Sequence, residues 1–202
     1  HPFEDPQPPF PPEENNPVGS YRRTFTISDS WNGGQIFLHF DGVKSAFFVW
    51  VNGKKVGYSQ GSMTPAEFNI TDYIIDGNNS VSVQVFRWSD AAYIEDQDFW
   101  RLSGIYRDVY LMHTPDTHIR HFKVTPTLTD NYQQGMLNIK THIKNYGSDT
   151  ENLILKNTLY DQAGYIVAAL EPIALKLIGN DEQALEQKTI IKEISPWTAE
   201  TP

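Results

Sequence analysis

The sequence has no cysteine. That excludes a disulfide scaffold, a zinc–thiolate centre and thiol catalysis, while leaving the compartment open, cytoplasm or periplasm alike. It is also short of positive charge. Sixteen Lys and Arg stand against 25 Asp and Glu, for a formal net charge of -9, which argues against a phosphate-binding surface and against nucleic acid as a partner. No apolar run approaches the roughly 18 residues of a membrane span, so no membrane partner is expected. Nucleophile and phosphate-loop signatures are missing too. No G-x-S-x-G occurs, and Gly33-Gly34 lacks the Lys-Ser/Thr and the following helix of a phosphate loop. No helical periodicity lasts beyond two turns, and no fixed-period repeat is present.

What remains is a chain of short strands. Residues 1–17 hold seven prolines, a density that disfavours helix and central strand and predicts an extended arm. From Tyr21 the runs YRRTFTI, QIFLHF, SAFFVWV, KKVGYS, SVSVQVFRW and GIYRDVYLMH read as strands bounded by turn residues. Asn52-Gly53 between two of them supplies the positive φ angles of a type I′ hairpin, and Asp76-Gly77 repeats the device. Residues 66–75 read as a connection ending in a short helical turn, with Thr71 or Asp72 as its cap.

A second series follows Pro115: HIRHFKVTPTL, GMLNIKTHIKN, NLILKNTLYD, YIVAAL, PIALKLI and QKTIIKEI. Its spacing of about ten residues per strand suggests an immunoglobulin-like sandwich. The expected organisation is an extended arm at 1–17, a first sandwich at 18–114 and a second at 116–202, all-β throughout. The closing SPWTAETP is polar and turn-rich and reads as a linker, with a further segment expected after it.

The densest polar constellation is RWSDAAYIEDQDFWRLSG, residues 87–104. There Asp90, Glu95, Asp96 and Asp98 crowd among Trp88, Tyr93, Phe99 and Trp100. Carboxylates beside aromatic rings suit a sugar: the C–H face of a pyranose packs on a ring while carboxylate oxygens accept from hydroxyls or bind a hard cation. The structural alternative is that the acids cap turns and pair with Arg87, Arg101 and Arg107 to hold a long connection. Two neighbouring carboxylates could reach the separation of roughly 5 to 9.5 Å that glycoside hydrolysis uses. All of them come from one segment, however, and the sequence supplies no second wall of a cleft. His118 and His121 stand three apart, which in a regular strand puts them on opposite faces and argues against a shared metal. Phe47, Phe48 and Trp50 alternate along one strand and read as packing on two faces.

At ENNPVGSYRRTF and at RWSDAAYIEDQDFWRLSGIYRDVYL, the sequence resembles the family 2 glycoside hydrolases, and within them the large β-galactosidases. FDGVKSAFFVWVNGKKVGYSQGSMTPAEFNIT resembles that family's sugar-binding jelly-roll, a galactose-binding-like sandwich. PWTAETP resembles the junction between its immunoglobulin-like domain and the catalytic barrel. The acidic DQD-x-W block is the specific part; β-glucuronidases and β-mannosidases share the GI-x-R ending.

The resemblance implies a retaining β-galactosidase as the parent, with the catalytic glutamates and magnesium ligands in a barrel outside this chain. It implies that Asn16 reaches into a galactose subsite. It also implies that Asp98 coordinates an active-site sodium beside the galactose hydroxyls. In the residues' own terms, Asn16 could instead open the Pro17 turn and Asp98 could cap Trp100. The expected partners are a weakly held galactoside, the missing barrel and C-terminal domains, and other subunits of a homo-oligomeric parent. IGNDEQALEQ is compared with a loop by which relatives reach a neighbouring subunit. With an incomplete shell at Asp98, neither sodium nor magnesium is expected to bind this chain tightly. The competing readings are a free-standing carbohydrate-binding or adhesion module and the front end of another family 2 enzyme such as a β-glucuronidase.

Overall fold

A computed structural model describes residues 7–95, 100–129, 132–192, 194 and 197–200. The chain divides between Thr114 and Pro115 into two compact units.

In the first unit, β1 (Val18–Thr26), β4 (Ala46–Val51), β5 (Lys54–Gln60) and β7 (Asn78–Phe86) form a four-stranded antiparallel sheet in the order β1-β7-β4-β5. β2 (Gln35–Phe40), β6 (Ala66–Asn69) and β9 (Val109–Thr114) form a second sheet, ordered β6-β2-β9. β3 (Val43–Lys44) pairs with β8 (Gly104–Ile105). Period-two alternation decides the packing, because successive side chains point to opposite faces of a strand. Phe47, Val49, Val51, Val83 and Val85 from the first sheet meet Ile36, Leu38 and Phe40 from the second, and Ile70 closes the core. Each such fully buried aliphatic or aromatic side chain contributes about 1.5–3 kcal/mol.

Asn52 and Gly53 take φ values of 50° and 77°, and Val51 pairs directly with Lys54, as a two-residue hairpin with left-handed turn residues requires. Asn52 has a second task. Its Nδ2 donates to Tyr73 O at 2.8 Å and to Asn79 Oδ1 at 2.7 Å, and its Oδ1 accepts from Ser80 N at 2.9 Å. The connection after β5 differs from the expectation. Residues 66–69 pair with β2 as a strand, and the helical turn is confined to Thr71–Tyr73. Neither Thr71 nor Asp72 caps it: the position before the turn is Ile70. The Thr71 hydroxyl instead accepts from Ile36 N at 2.9 Å and donates to Asn69 Oδ1 at 2.7 Å.

In the second unit, β10 (Thr117–Leu128), β11 (Gly135–Asn145) and β16 (Glu182–Ile191) form one antiparallel sheet, ordered β10-β11-β16. Two strand pairs complete it: β12 (Glu151–Leu155) with β15 (Ile173–Leu177), and β13 (Thr158–Tyr160) with β14 (Ile166–Ala169). Ile143 packs with Leu155 and Leu177, while Leu137 and Ile139 pack with Leu170. The two strand pairs therefore cover successive lengths of β11. NLILKNTLYD, expected as one strand, breaks after Leu155. At the break, Asn157 Nδ2 donates to the buried Gln187 Oε1 at 2.6 Å.

Two further expectations are corrected here. A β-bulge between Ile119 and His121 sets His118 opposite Lys144 and His121 opposite His142. Both histidines thus lie on one face, because a bulge inserts a residue and shifts the alternation. They are spent separately: His118 stacks on Tyr146 and His121 on His142, with centroids 5.5 Å and 4.1 Å apart. IGNDEQALEQ is also not a free loop. From Glu182 onward it belongs to β16, and Glu182 pairs with Lys144 of β11.

Candidate functional site

The first-unit sheet carries the two segments singled out in the sequence to one end of a strand pair. β1 and β7 run antiparallel with Val18 opposite Phe86, and Arg87 N donates to Pro17 O at 3.0 Å. One step farther the ladder is continued by a side chain. Asn16 Nδ2 donates to Trp88 O at 3.0 Å, and Trp88 N donates to Asn16 Oδ1 at 2.9 Å. One N–H and one carbonyl lone pair of the Asn16 amide stay available beyond this pair.

Trp88 is buried, and the guanidinium carbons of Arg87 and Arg101 lie 5.2 Å and 5.9 Å from its ring. Arg107 lies 5.5 Å from the Tyr106 ring. Among the described residues none of these three arginines pairs with a carboxylate. The acids of the segment are held by other means. Asp90 Oδ1 accepts from Ala91 N at 2.9 Å and opens the short helix α1 (Ala92–Glu95). Glu95 reaches the turn after β5, where its carboxylate accepts from Ser62 N at 3.1 Å and from Ser62 Oγ at 2.6 Å. Asp96, Asp98 and Phe99 lie outside the described residues.

The far side of the segment returns to the same place. The Tyr106 hydroxyl donates to Ser62 O, and the buried Lys44 ammonium donates to Trp100 O at 3.1 Å. Gly104 lets the chain turn back, with φ at +120° and a side-chain position that would fall 2.9 Å from the Tyr21 hydroxyl. The arm is fastened above: Tyr93 OH donates to Phe10 O at 2.7 Å and accepts from Gln7 N at 3.3 Å. Asp90 also makes itself felt at β5. The Tyr58 phenol is raised above its ordinary value, first by burial and then by the Asp90 charge.

Ser62, Lys44 and Tyr106 were not legible as partners of the acidic segment. Lys44 alone left a trace, as a single cation inside the apolar run VKSAFFVWV. Among the described residues no group of three His, Asp or Glu side chains could hold a metal ion.

The first unit is thus a two-sheet sandwich with an aromatic, acidic segment held at one end by Ser62, Lys44 and Asn16, and a second all-β unit follows it in the chain. Residues 2–115 match the sugar binding domain of the glycosyl hydrolases family 2, and residues 117–202 match a further domain of the same family. The chain belongs to that family, and as its sugar-binding and immunoglobulin-like domains it is not itself the catalytic module. It is 46% identical over 200 residues to the β-galactosidase of Priestia megaterium, covering 98% of this chain and 19% of that protein. It is 39% identical over 196 residues to the β-galactosidase of Halalkalibacterium halodurans, covering 97% and 18%. The chain thus spans about a fifth of the length of the curated relatives it matches. A Bacteroides uniformis β-glucuronidase superposes with a TM-score of 0.84 at 27% identity, over 91% of this chain and 23% of that one.

Proposed function

We propose that this chain supplies substrate positioning and scaffold to a retaining β-galactosidase that releases terminal β-D-galactosides. The catalytic carboxylates and the magnesium ligands would belong to a barrel outside these 202 residues. The observation that supports the reading is the Asn16–Trp88 pairing, 3.0 Å and 2.9 Å long, which holds the Asn16 amide beside the start of the acidic segment. In this reading Asn16 meets a galactose hydroxyl, and Asp98 offers one hard oxygen ligand to a sodium ion beside the sugar.

The described residues do not fit a complete sodium shell: Glu95 is engaged by Ser62 and Asp90 by Ala91. As the family resemblance implies, sodium would be held by Asp98 together with oxygens supplied by the barrel. Galactose affinity of the chain alone is expected to be millimolar or weaker. The parent is proposed to be a homo-oligomer.

Hydrolysis of p-nitrophenyl-β-galactoside by the chain, and by a longer protein that includes the following coding sequence, tests the reading. Silence from the chain and turnover by the longer protein, lost on Asp98→Ala, are expected. Turnover by the chain alone overturns it and returns Glu95, Asp96 and Asp98 as catalytic candidates. The structural likeness to a β-glucuronidase favours one second reading, and preferred turnover of p-nitrophenyl-β-glucuronide by the longer protein would establish it.

A further inference from the structure

The solvent-side face of the β1-β7-β4-β5 sheet carries a notch that the site above does not use. Cross-strand register explains it. Arg22 lies opposite Ser82, and Ser82 lies opposite Trp50, so one row across three strands reads large, small, large. The next row sets Ser20 opposite Gln84 and Gln84 opposite Phe48. Directly opposed side chains share a face, so the small Ser82 leaves a gap walled by Trp50 on one side and Arg22 on the other. The groove has a volume of about 290 Å³ and a mostly apolar lining, with Tyr21 and Val83 beside Ser20, Arg22, Trp50, Ser82 and Gln84. Trp50 is fixed by its neighbour Phe48, 5.9 Å away, which itself packs on Tyr58 and Phe86.

The polar groups around this groove are uncommitted. Among the described residues, the side chains of Ser20, Arg22, Ser82 and Gln84 and the Trp50 indole N–H make no hydrogen bond or ion pair. At the opposite end of the same sheet, Asn52 and Asn79 use both ends of their amides within the chain. Two hydroxyls, a carboxamide and a guanidinium with free hydrogen-bonding capacity, set beside an indole, match a ligand with an apolar face and a rim of hydroxyls. No carboxylate lines the groove and Arg22 stands at its wall, which favours a neutral occupant over a cation, and its size suits one sugar ring.

We infer that this groove is a second saccharide site, taking one pyranose unit against Trp50 with Gln84, Arg22 and the serine hydroxyls bonding its rim. It is separate from the Asn16 end of the sheet. Ser20 lies four residues along β1 from Asn16, roughly 14 Å at the rise of an extended strand. The inference does not depend on which glycoside the parent enzyme cleaves.

The test is an amide and indole ¹H–¹⁵N NMR titration of the 202-residue chain with methyl β-D-galactopyranoside, methyl β-D-glucopyranoside and sorbitol. Saturable, millimolar shifts of the Trp50 indole N–H and of the Ser82 and Gln84 signals are expected with at least one pyranoside, and none with sorbitol, which has no ring face. Gln84→Ala should weaken binding about tenfold, the effect of one lost hydrogen bond. Trp50→Ala should abolish it. Ser82→Leu, which fills the notch from an outward strand position without touching the core, should abolish it as well, so a folding defect in the tryptophan variant does not decide the matter. Absent shifts, equal shifts with sorbitol, or shifts that survive in Ser82→Leu overturn the inference. Shifts confined to Trp88–Glu95 overturn it too, while supporting the Asn16 site; shifts confined to the groove do the reverse.

Discussion

The side-chain amide of Asn16 and the main chain of Trp88 form a closed pair, each giving and accepting one hydrogen bond, at 3.0 Å and 2.9 Å. The amide acts as one more residue of the β1–β7 ladder, beyond the point where the arm stops pairing through its own backbone. Asn16→Ala leaves the buried Trp88 N–H and C=O without those partners. A loss of about 2 kcal/mol is expected, read as an earlier urea transition of the first domain, with faster amide exchange at Trp88.

Ser62 anchors the acidic segment through Glu95 and, just past the segment's end, through Tyr106. Removing its hydroxyl takes away a charge-assisted hydrogen bond of 2.6 Å. Ser62→Ala should therefore cost about 2 kcal/mol. If the loss is local, amide exchange across Tyr93–Glu95 should accelerate about 30-fold, the equivalent of that energy. Ser62→Thr, which keeps the hydroxyl, should restore part of the protection.

Asn79 is fully buried and holds the chain before β7. Its Oδ1 accepts from Ile75 N at 2.9 Å and from Asn52 Nδ2 at 2.7 Å, while its Nδ2 donates to Ile75 O at 2.9 Å. Asn79→Leu strands several of these groups in the interior. It should destabilise the first domain by about 3 kcal/mol, among the larger effects of a single substitution. Thermal unfolding followed by near-ultraviolet circular dichroism would register it.

Glu186 on β16 titrates below the ordinary carboxylate value, first because Asn138 Nδ2 donates to it at 2.7 Å and then because Lys188 lies 3.2 Å away. A carboxyl whose folded-state value is depressed adds stability above its unfolded-state value, and that contribution fades as pH falls through the folded-state value. Asn138→Ala should move the Glu186 titration upward, toward the ordinary value. Side-chain carboxyl NMR across acidic pH would measure it, and an unmoved titration would refute the assignment.

Most of the strands were legible before any coordinates because a half-buried strand must alternate. QIFLHF, GMLNIKTHIKN and the Asn52-Gly53 hairpin appear as read. Three departures from that reading share one cause. The bulge beside His121, the strand at Ala66–Asn69 and the start of β16 at Glu182 all depend on partner strands distant in sequence. Local turn chemistry and alternation do not report such partners.

The same division holds for function. Residue order alone carried the all-β class, the acidic aromatic segment at 87–104 and the resemblance to family 2, since these rest on composition, period and contiguous motif. Tertiary structure alone decided that Glu95 is consumed by Ser62, that Asn16 closes on Trp88, and that Arg22, Ser82 and Trp50 frame one groove. Those relationships join residues 28 to 72 positions apart. Only hydrogen-bonded register across a folded sheet brings such residues together, and register is set by the whole core rather than by any one segment.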